Sequence, residues 1–228
     1  HPNFRSFFAT GDIRQRITAW GVRSFAELNW ISSDFDLRQI GYCYRQSRQL
    51  AQLANIVAGL DGTADPVAIQ MPEYIDEISV PAILGENLQG EEVAKWLFER
   101  ILEIERSLDK VPSIAIFVDG DERIDPLLSS LRPLLAENNL DIVGCKEGRI
   151  VGIENQIRIF DAQYIKGLEF EAVFFVGVDI LAAHKPGEFA NYLYVGITRA
   201  ATYLGITCEN CLPATLEPLR PHLITSKW

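Results

Sequence analysis

The stretch from Ile157 to Asp179, IRIFDAQYIKGLEFEAVFFVGVD, constrains the fold more than any other part of this chain. Two apolar runs, Ile157–Phe160 and Ala172–Val178, flank a polar loop that holds Lys166, Gly167 and Glu169. A continuous run such as AVFFVGV, rich in β-branched and aromatic side chains, suits a strand buried on both faces of a parallel sheet. Loops between such strands are where ligand-binding groups collect. Gly167 lets the backbone turn tightly or approach a ligand closely. Glu169 offers an acceptor just before the second strand.

The remainder alternates between strand and helix patterns. Phe7–Ala9 is a short strand that ends in Thr10-Gly11-Asp12, a helix is expected near Phe25–Trp30, and Leu37–Tyr42 is a strand candidate. Ser47 is a good N-cap for a helix carrying Leu50, Leu53, Ala54, Val57 and Ala58, closed by Gly59 and Gly62. Prolines and glycines make residues 61–90 a loop with one short strand near Ile78–Ile83. Glu91–Leu108 is the clearest amphipathic helix, with Val93, Trp96, Leu97, Ile101, Ile104 and Leu108 in one stripe. Ser113–Val118 and Leu140–Gly144 read as strands and Ile124–Glu137 as a helix. Helix at Phe189–Ala201, strand at Tyr203–Cys208 and a helix-like segment toward His222 complete the order. This alternation predicts an α/β fold with a mainly parallel sheet, its ligand loops gathered at the strands' carboxyl ends.

Composition narrows the function classes. The formal net charge of −10 argues against a generally basic, nucleic-acid-coating surface, so any such contact must rest on a few placed residues or a partner domain. No apolar run approaches the ~20 residues of a membrane span. Four cysteines are too few for a disulfide scaffold at this length, which favours a reducing cytoplasm. Cys208 and Cys211 form a lone CxxC with no second ligand pair in sequence, so no metal site is expected.

Four segments in order resemble motifs of the UvrD/Rep-like superfamily 1 helicases. Gly11-Asp12-Ile13-Arg14-Gln15, with Ile17 and Trp20 behind it, resembles the third motif. Tyr42-Cys43-Tyr44-Arg45-Gln46-Ser47 resembles the fourth, the KGLEF of residues 166–170 the fifth, and residues 191–200 (NYLYVGITRA) the sixth. The resemblance implies a RecA-like three-layer α/β/α fold and ATP bound between two such domains. It makes residues 1–35 the tail of the first RecA-like domain and 36–228 the second. Arg45 and Arg199 then match the arginines that reach the phosphates, and Gln15 the glutamine that senses the terminal phosphate. Glu169 matches the acceptor of a ribose hydroxyl, beside Gly167. Trp20 and Gln163 match contacts to single-stranded DNA. Each residue also has a plainer reading: Arg199 as a helix cap, Arg45 as a surface arginine, Glu169 as a solvated acid, Trp20 as core or interface filler.

The chain departs from the family pattern in places. Asp161 stands where Thr or Ser is usual, Gln163 where His is frequent, and Thr18 where a second aromatic is common. A carboxylate at the first of these positions opposes a phosphate backbone. The interval from Arg45 to Asp161 suits one RecA-like domain and not the large insertion of longer members. No GxxxxGK[ST] occurs, so the phosphate-cradling loop and the Mg²⁺ ligands are expected in a preceding domain, and the isolated chain is not expected to hydrolyse ATP. Two readings follow: the second motor domain of an ATP-dependent DNA helicase, or a degenerate relative that serves as a protein- or DNA-binding module. An unrelated small-molecule α/β enzyme lacks support, because His1, His184 and His222 sit in no nucleophile–base pattern.

Overall fold

The computed structural model describes residues 10–17, 20–22, 40–60, 68–72, 79–153 and 156–228, together with 24, 26, 27, 30, 36 and 38. Among them, alternating elements build one parallel sheet: α1 (Arg48–Ala58), β1 (Ala82–Gly85), α2 (Glu91–Leu108), β2 (Ile114–Val118), α3 (Ile124–Ala136), β3 (Ile142–Cys145) and β4 (Ile157–Asp161). Then come β5 (Phe170–Phe175), α4 (Val178–His184), α5 (Phe189–Ile197), β6 (Ala200–Thr207) and β7 (Leu223–Ile224). The strand order is β3-β4-β2-β5-β6-β1-β7, and every ladder within it is parallel.

Alternation along each strand sorts the core into two clusters. Phe117, Phe160, Val173, Phe175, Leu204 and Ile206 face α1, α4 and α5. Their neighbours Ile116, Ile159, Ala172, Phe174 and Tyr203 face α2 and α3. The result is three layers, helices on both sides of the sheet, which is why its strands read as unbroken apolar runs. Phe117 is the hub of the first cluster, with ring centroids 6.3 Å from Phe160, 6.2 Å from Phe170 and 6.0 Å from Phe175. No helix among the described residues is long and apolar enough to cross a membrane.

Most expected elements are present with shifted ends. Ser47 caps α1, accepting from Leu50 N at 3.3 Å. The strand expected at Ala172–Val178 runs from Phe170 to Phe175 instead, because Gly177 takes φ +70° and turns the chain into α4, a helix the apolar run concealed. The helix expected at Phe189–Ala201 stops at Ile197, and β6 starts at Ala200. The short strand expected at Ile78–Ile83 is β1 at Ala82–Gly85. The C-terminal helical segment is a 3₁₀ helix at Ala214–His222, where Pro218 and Pro221 remove the donors an α-helix needs. At Leu37–Tyr42, positions 37 and 39 lie outside the described residues, and Tyr42 forms a lone parallel bridge to Gln70. Phe7–Ala9, much of 25–30, and the domain boundary expected at 35 also lie outside them.

The connection from β4 to β5 positions the site. Both strands flank β2, so residues 162–169 must carry the chain from the carboxyl edge of the sheet back to the amino edge. They do so with a 3₁₀ turn at Ala162–Tyr164, buried Ile165, and Gly167 at φ +84°. A Cβ at Gly167 would meet nothing within 4 Å, so the backbone angle, not crowding, calls for glycine there.

Candidate functional site

Glu169 is the last residue before β5, and Arg199 the last before β6. The two strands are neighbours, and Phe170 N donates to Arg199 O at 2.9 Å, so these side chains start from adjacent points on the amino edge. Arg45 reaches the same place from the loop ahead of α1. Ser47 N donates to Ala201 O at 3.1 Å, and the buried Gln46 amide donates to Ile197 O at 2.8 Å and Ala200 O at 3.0 Å. Held this way, the Arg45 guanidinium donates to a Glu169 carboxylate oxygen and to Thr198 O.

Arg199 is 5% exposed and turned inward. Its Nε donates to Val195 O at 3.2 Å, Nη1 to Leu168 O at 3.1 Å and Nη2 to Thr198 Oγ1 at 3.2 Å. The helix-capping reading therefore describes this conformation. Those bonds use three of the five guanidinium N–H groups and leave two. Burial lowers the pKa of Arg199, and the Arg45 charge lowers it further against the opposing pull of Glu169, Asp12 and Tyr194. Two cations thus converge in a partly desolvated corner, an arrangement that favours an added anion.

Gln15 joins the cluster through a short 3₁₀ turn at Ile13–Gln15, whose N-cap Asp12 accepts from Arg14 N at 3.0 Å and from Gln15 Nε2 at 3.1 Å. Tyr194 of α5 donates to Asp12 at 3.4 Å, and the Arg14 guanidinium lies 5.2 Å from the Tyr194 ring centroid. Burial, reinforced by the Asp12 charge, pushes the Tyr194 hydroxyl up to about 12.

Gln163 does not belong to this cluster. It follows β4 and lies on the carboxyl edge, while Arg45, Glu169 and Arg199 lie on the amino edge of the same sheet. The expectation that all ligand groups gather at the carboxyl ends is therefore corrected. The helix-free β4–β5 crossover delivers Glu169 to the other edge. Trp20 is 82% exposed, which removes the core-filler reading.

Sequence reasoning passed over Gln46, Thr198, Asp12 and Tyr194, although all four sit inside the motif-like segments. It also missed a carboxyl-edge cluster in which Asp119 accepts from Lys185 Nζ at 2.6 Å and pairs with His184 Nδ1 at 2.9 Å. Asp161, read from sequence as facing a nucleic-acid backbone, is 2% exposed and bonded within the protein. Among the described residues no group of three or more His, Cys, Asp or Glu side chains is placed to hold a metal.

The two buried carboxyl groups titrate in opposite senses. Burial alone would raise Asp119, but the hydrogen bonds from Lys185 and His184 outweigh it and hold its pKa below the ordinary carboxylate range. For Asp161 burial prevails over the hydrogen bonds from Gln163 and Gly120, and its pKa is raised. Asp119 therefore adds stability above its unfolded pKa of about 3.9, lost as pH falls through its lower folded value. Asp161 does the reverse, stabilising at low pH and losing that contribution as pH rises through its raised folded value. In urea titrations, Asp119→Asn should be less stable than the wild type at neutral pH, with the gap closing toward about pH 3. A gap that stays constant with pH would show that Asp119 carries none of the acid dependence.

Residues 156–207, from β4 through β6 and including Glu169 and Arg199, match the UvrD-like helicase C-terminal domain. Among solved structures it is similar to the C-terminal domain of a "possible DNA helicase" from a Lactobacillus (strain WCFS1), with a TM-score of 0.56 and 13% identity. That likeness covers 80% of this chain and 98% of the other, and it identifies the sheet as a RecA-like three-layer fold. A more distant likeness, to arterivirus nonstructural protein 10 (a helicase) in complex with DNA, has a TM-score of 0.39 at 16% identity over 64% of this chain and 34% of that one. No curated protein matches the sequence. The matched segment contains the whole β4–β5 crossover, and with it the links between the two sheet edges.

Proposed function

We propose that this chain is the second RecA-like domain of a UvrD-like, ATP-dependent DNA helicase or translocase, residues 36–228, with residues 1–35 as the tail of the first. The convergence of Arg45 and Arg199 beside Glu169 carries this reading. Arg45 has three guanidinium N–H groups beyond its bonds to Glu169 and Thr198, and Arg199 has two beyond its own three. Together they fit the oxygens of a triphosphate held against the amino edge by a preceding domain, which would also supply the Mg²⁺ ligands. In phosphoryl transfer, charge on the transferring group is stabilised by such placed cations. Gln15, tied to Tyr194 through Asp12, would sense the terminal phosphate, and Glu169, beside Gly167, would accept a ribose hydroxyl. Trp20 and Gln163 would contact single-stranded DNA. Since Arg45 holds Glu169, binding nucleotide would exchange that ion pair for bonds to phosphate and ribose. Closure and reopening around nucleotide would then bias the domain between two arrangements.

ATP hydrolysis by the intact protein, with and without single-stranded DNA, tests this. Strand-stimulated turnover is the expected result, with none from the 228-residue chain alone. Glu169→Ala in the intact protein should raise KM for ATP roughly tenfold and change kcat far less, the signature of a lost binding contact. An unchanged KM would remove Glu169 from the nucleotide site.

The binding-module reading draws on one observation: the Arg45–Glu169 pair and the three Arg199 bonds satisfy these groups internally. A well-folded intact protein that hydrolyses no ATP with or without DNA would establish that reading instead.

A further inference from the structure

Asp161 does more than end β4. Its Oδ1 accepts from Gly120 N at 3.3 Å and Gln163 N at 3.1 Å, and its Oδ2 accepts from Gln163 Nε2. The carboxyl group is 2% exposed, so it faces the protein and not a bound strand. A carboxylate can only accept, which obliges the Gln163 amide to turn its nitrogen inward. Its Oε1 then points away from Asp161 and takes no hydrogen bond among the described residues, while the residue itself is exposed. A phosphate oxygen is likewise an acceptor, so the exposed Oε1 cannot bond to it, and the Nε2 that could is drawn toward Asp161.

We infer that Gln163 reads a hydrogen-bond donor on a single strand, either a base N–H or a ribose 2′-hydroxyl, and does not grip phosphate. The inference rests on the nucleic-acid-motor reading and specifies its carboxyl-edge contact. Asp161 is the positioning residue that fixes the amide. The surroundings agree with a base or sugar as the ligand. Tyr164, next on the same turn, is 41% exposed, and its ring lies against Gly148, where a Cβ would come within 3.0 Å of Cδ1. The loop behind that ring exposes Ile150 and Ile153. A ring backed on one side by the chain leaves a face on which a base can stack.

Fluorescence anisotropy of the intact protein without nucleotide at low salt, with oligo-dT, oligo-rU and an abasic deoxyribose-phosphate oligomer of equal length, decides the matter. Thymine and uracil both carry an N–H donor, the ribose strand adds the 2′-hydroxyl, and the abasic strand has neither. Gln163→Leu should weaken binding about three- to tenfold where the donor is present and leave the abasic strand unchanged. Weakening on both dT and rU identifies the base N–H, and weakening on rU alone the 2′-hydroxyl. Equal weakening on all three strands, or on none, overturns the inference while leaving the motor reading in place. Failure of the wild type to bind any strand takes down the nucleic-acid reading itself. Asp161→Asn, which can donate as well as accept, frees the amide to reverse and should abolish the discrimination with Gln163 still present. Retained discrimination in that variant, with an unchanged melting temperature, would show that Asp161 does not set the orientation.

Discussion

Arg199→Ala in the intact protein should lower strand-stimulated ATP turnover by about 10³-fold or more, the scale on which an arginine supplied across a cleft stabilises transferring phosphoryl charge. Alanine alone is an ambiguous test, because Arg199 is 5% exposed and satisfies Val195 O, Leu168 O and Thr198 Oγ1. Its removal takes a donor from each of them, and although Thr198 Oγ1 still bonds Val195 O, an acceptor left unpaired costs about 1–3 kcal/mol if water does not replace it. Arg199→Lys separates the two effects. Lysine keeps a cation and part of the packing but lacks the planar fork, so it should restore much of the melting temperature and little of the turnover. Affinity for single-stranded DNA without nucleotide should change little in either variant. Wild-type turnover in Arg199→Lys would reduce Arg199 to the helix cap it forms in this conformation.

Phe117→Ala should destabilise the domain by about 3–5 kcal/mol, read from urea denaturation. Phe117 is fully buried at the centre of the sheet, and its ring meets those of Phe160, Phe170 and Phe175 edge-on or steeply inclined. Phe160 and Phe170 bracket the β4–β5 crossover, so the packing that stabilises the core also sets the ends of the segment that carries Gln163 and Glu169. For a domain of this size the loss corresponds to a fall in Tm of roughly 10 °C. The same substitution on the opposite face, Ile116→Ala, lies in the α2–α3 cluster and leaves that aromatic group intact. If Phe117→Ala costs less than about 1 kcal/mol, the aromatic cluster is not what holds the crossover.

The proposed site and its surroundings contain two pairs of residues whose environments differ. Arg45 and Glu169 are partly exposed, with side-chain accessibilities of 35% and 61%, and exchange partners readily. Asp161 and Arg199 are buried and committed to backbone neighbours. The first pair is open to a ligand as it stands, whereas Asp161 fixes its own turn and Arg199 can meet a ligand only through the two N–H groups its internal bonds leave.

What the chain's sequence determined by itself is whatever depends on local period and local composition. The stripe from Val93 to Leu108 required a helix with one apolar face, and the runs read at Ser113–Val118 and Ala172–Val178 required strands covered on both sides, the second of which ends at Phe175. The motif-like segments could be found because each is contiguous. Tertiary structure alone decided which of those segments meet. Arg45 pairs with Glu169 across 124 positions because β5 and β6 are neighbours and the loop before α1 is bonded to Ala200 and Ala201. Strand order is equally non-local, and by placing β2 between β4 and β5 it sends Gln163 and Glu169 to opposite edges of the sheet. Asp161 changed meaning for the same reason. As a letter in a loop it was a negative charge, but at the end of a central strand, beneath Gly120 N and the Gln163 amide, it is a buried acceptor that orients its neighbour. Burial and hydrogen-bond partners are set by what lies across the sheet, and no local pattern encodes that.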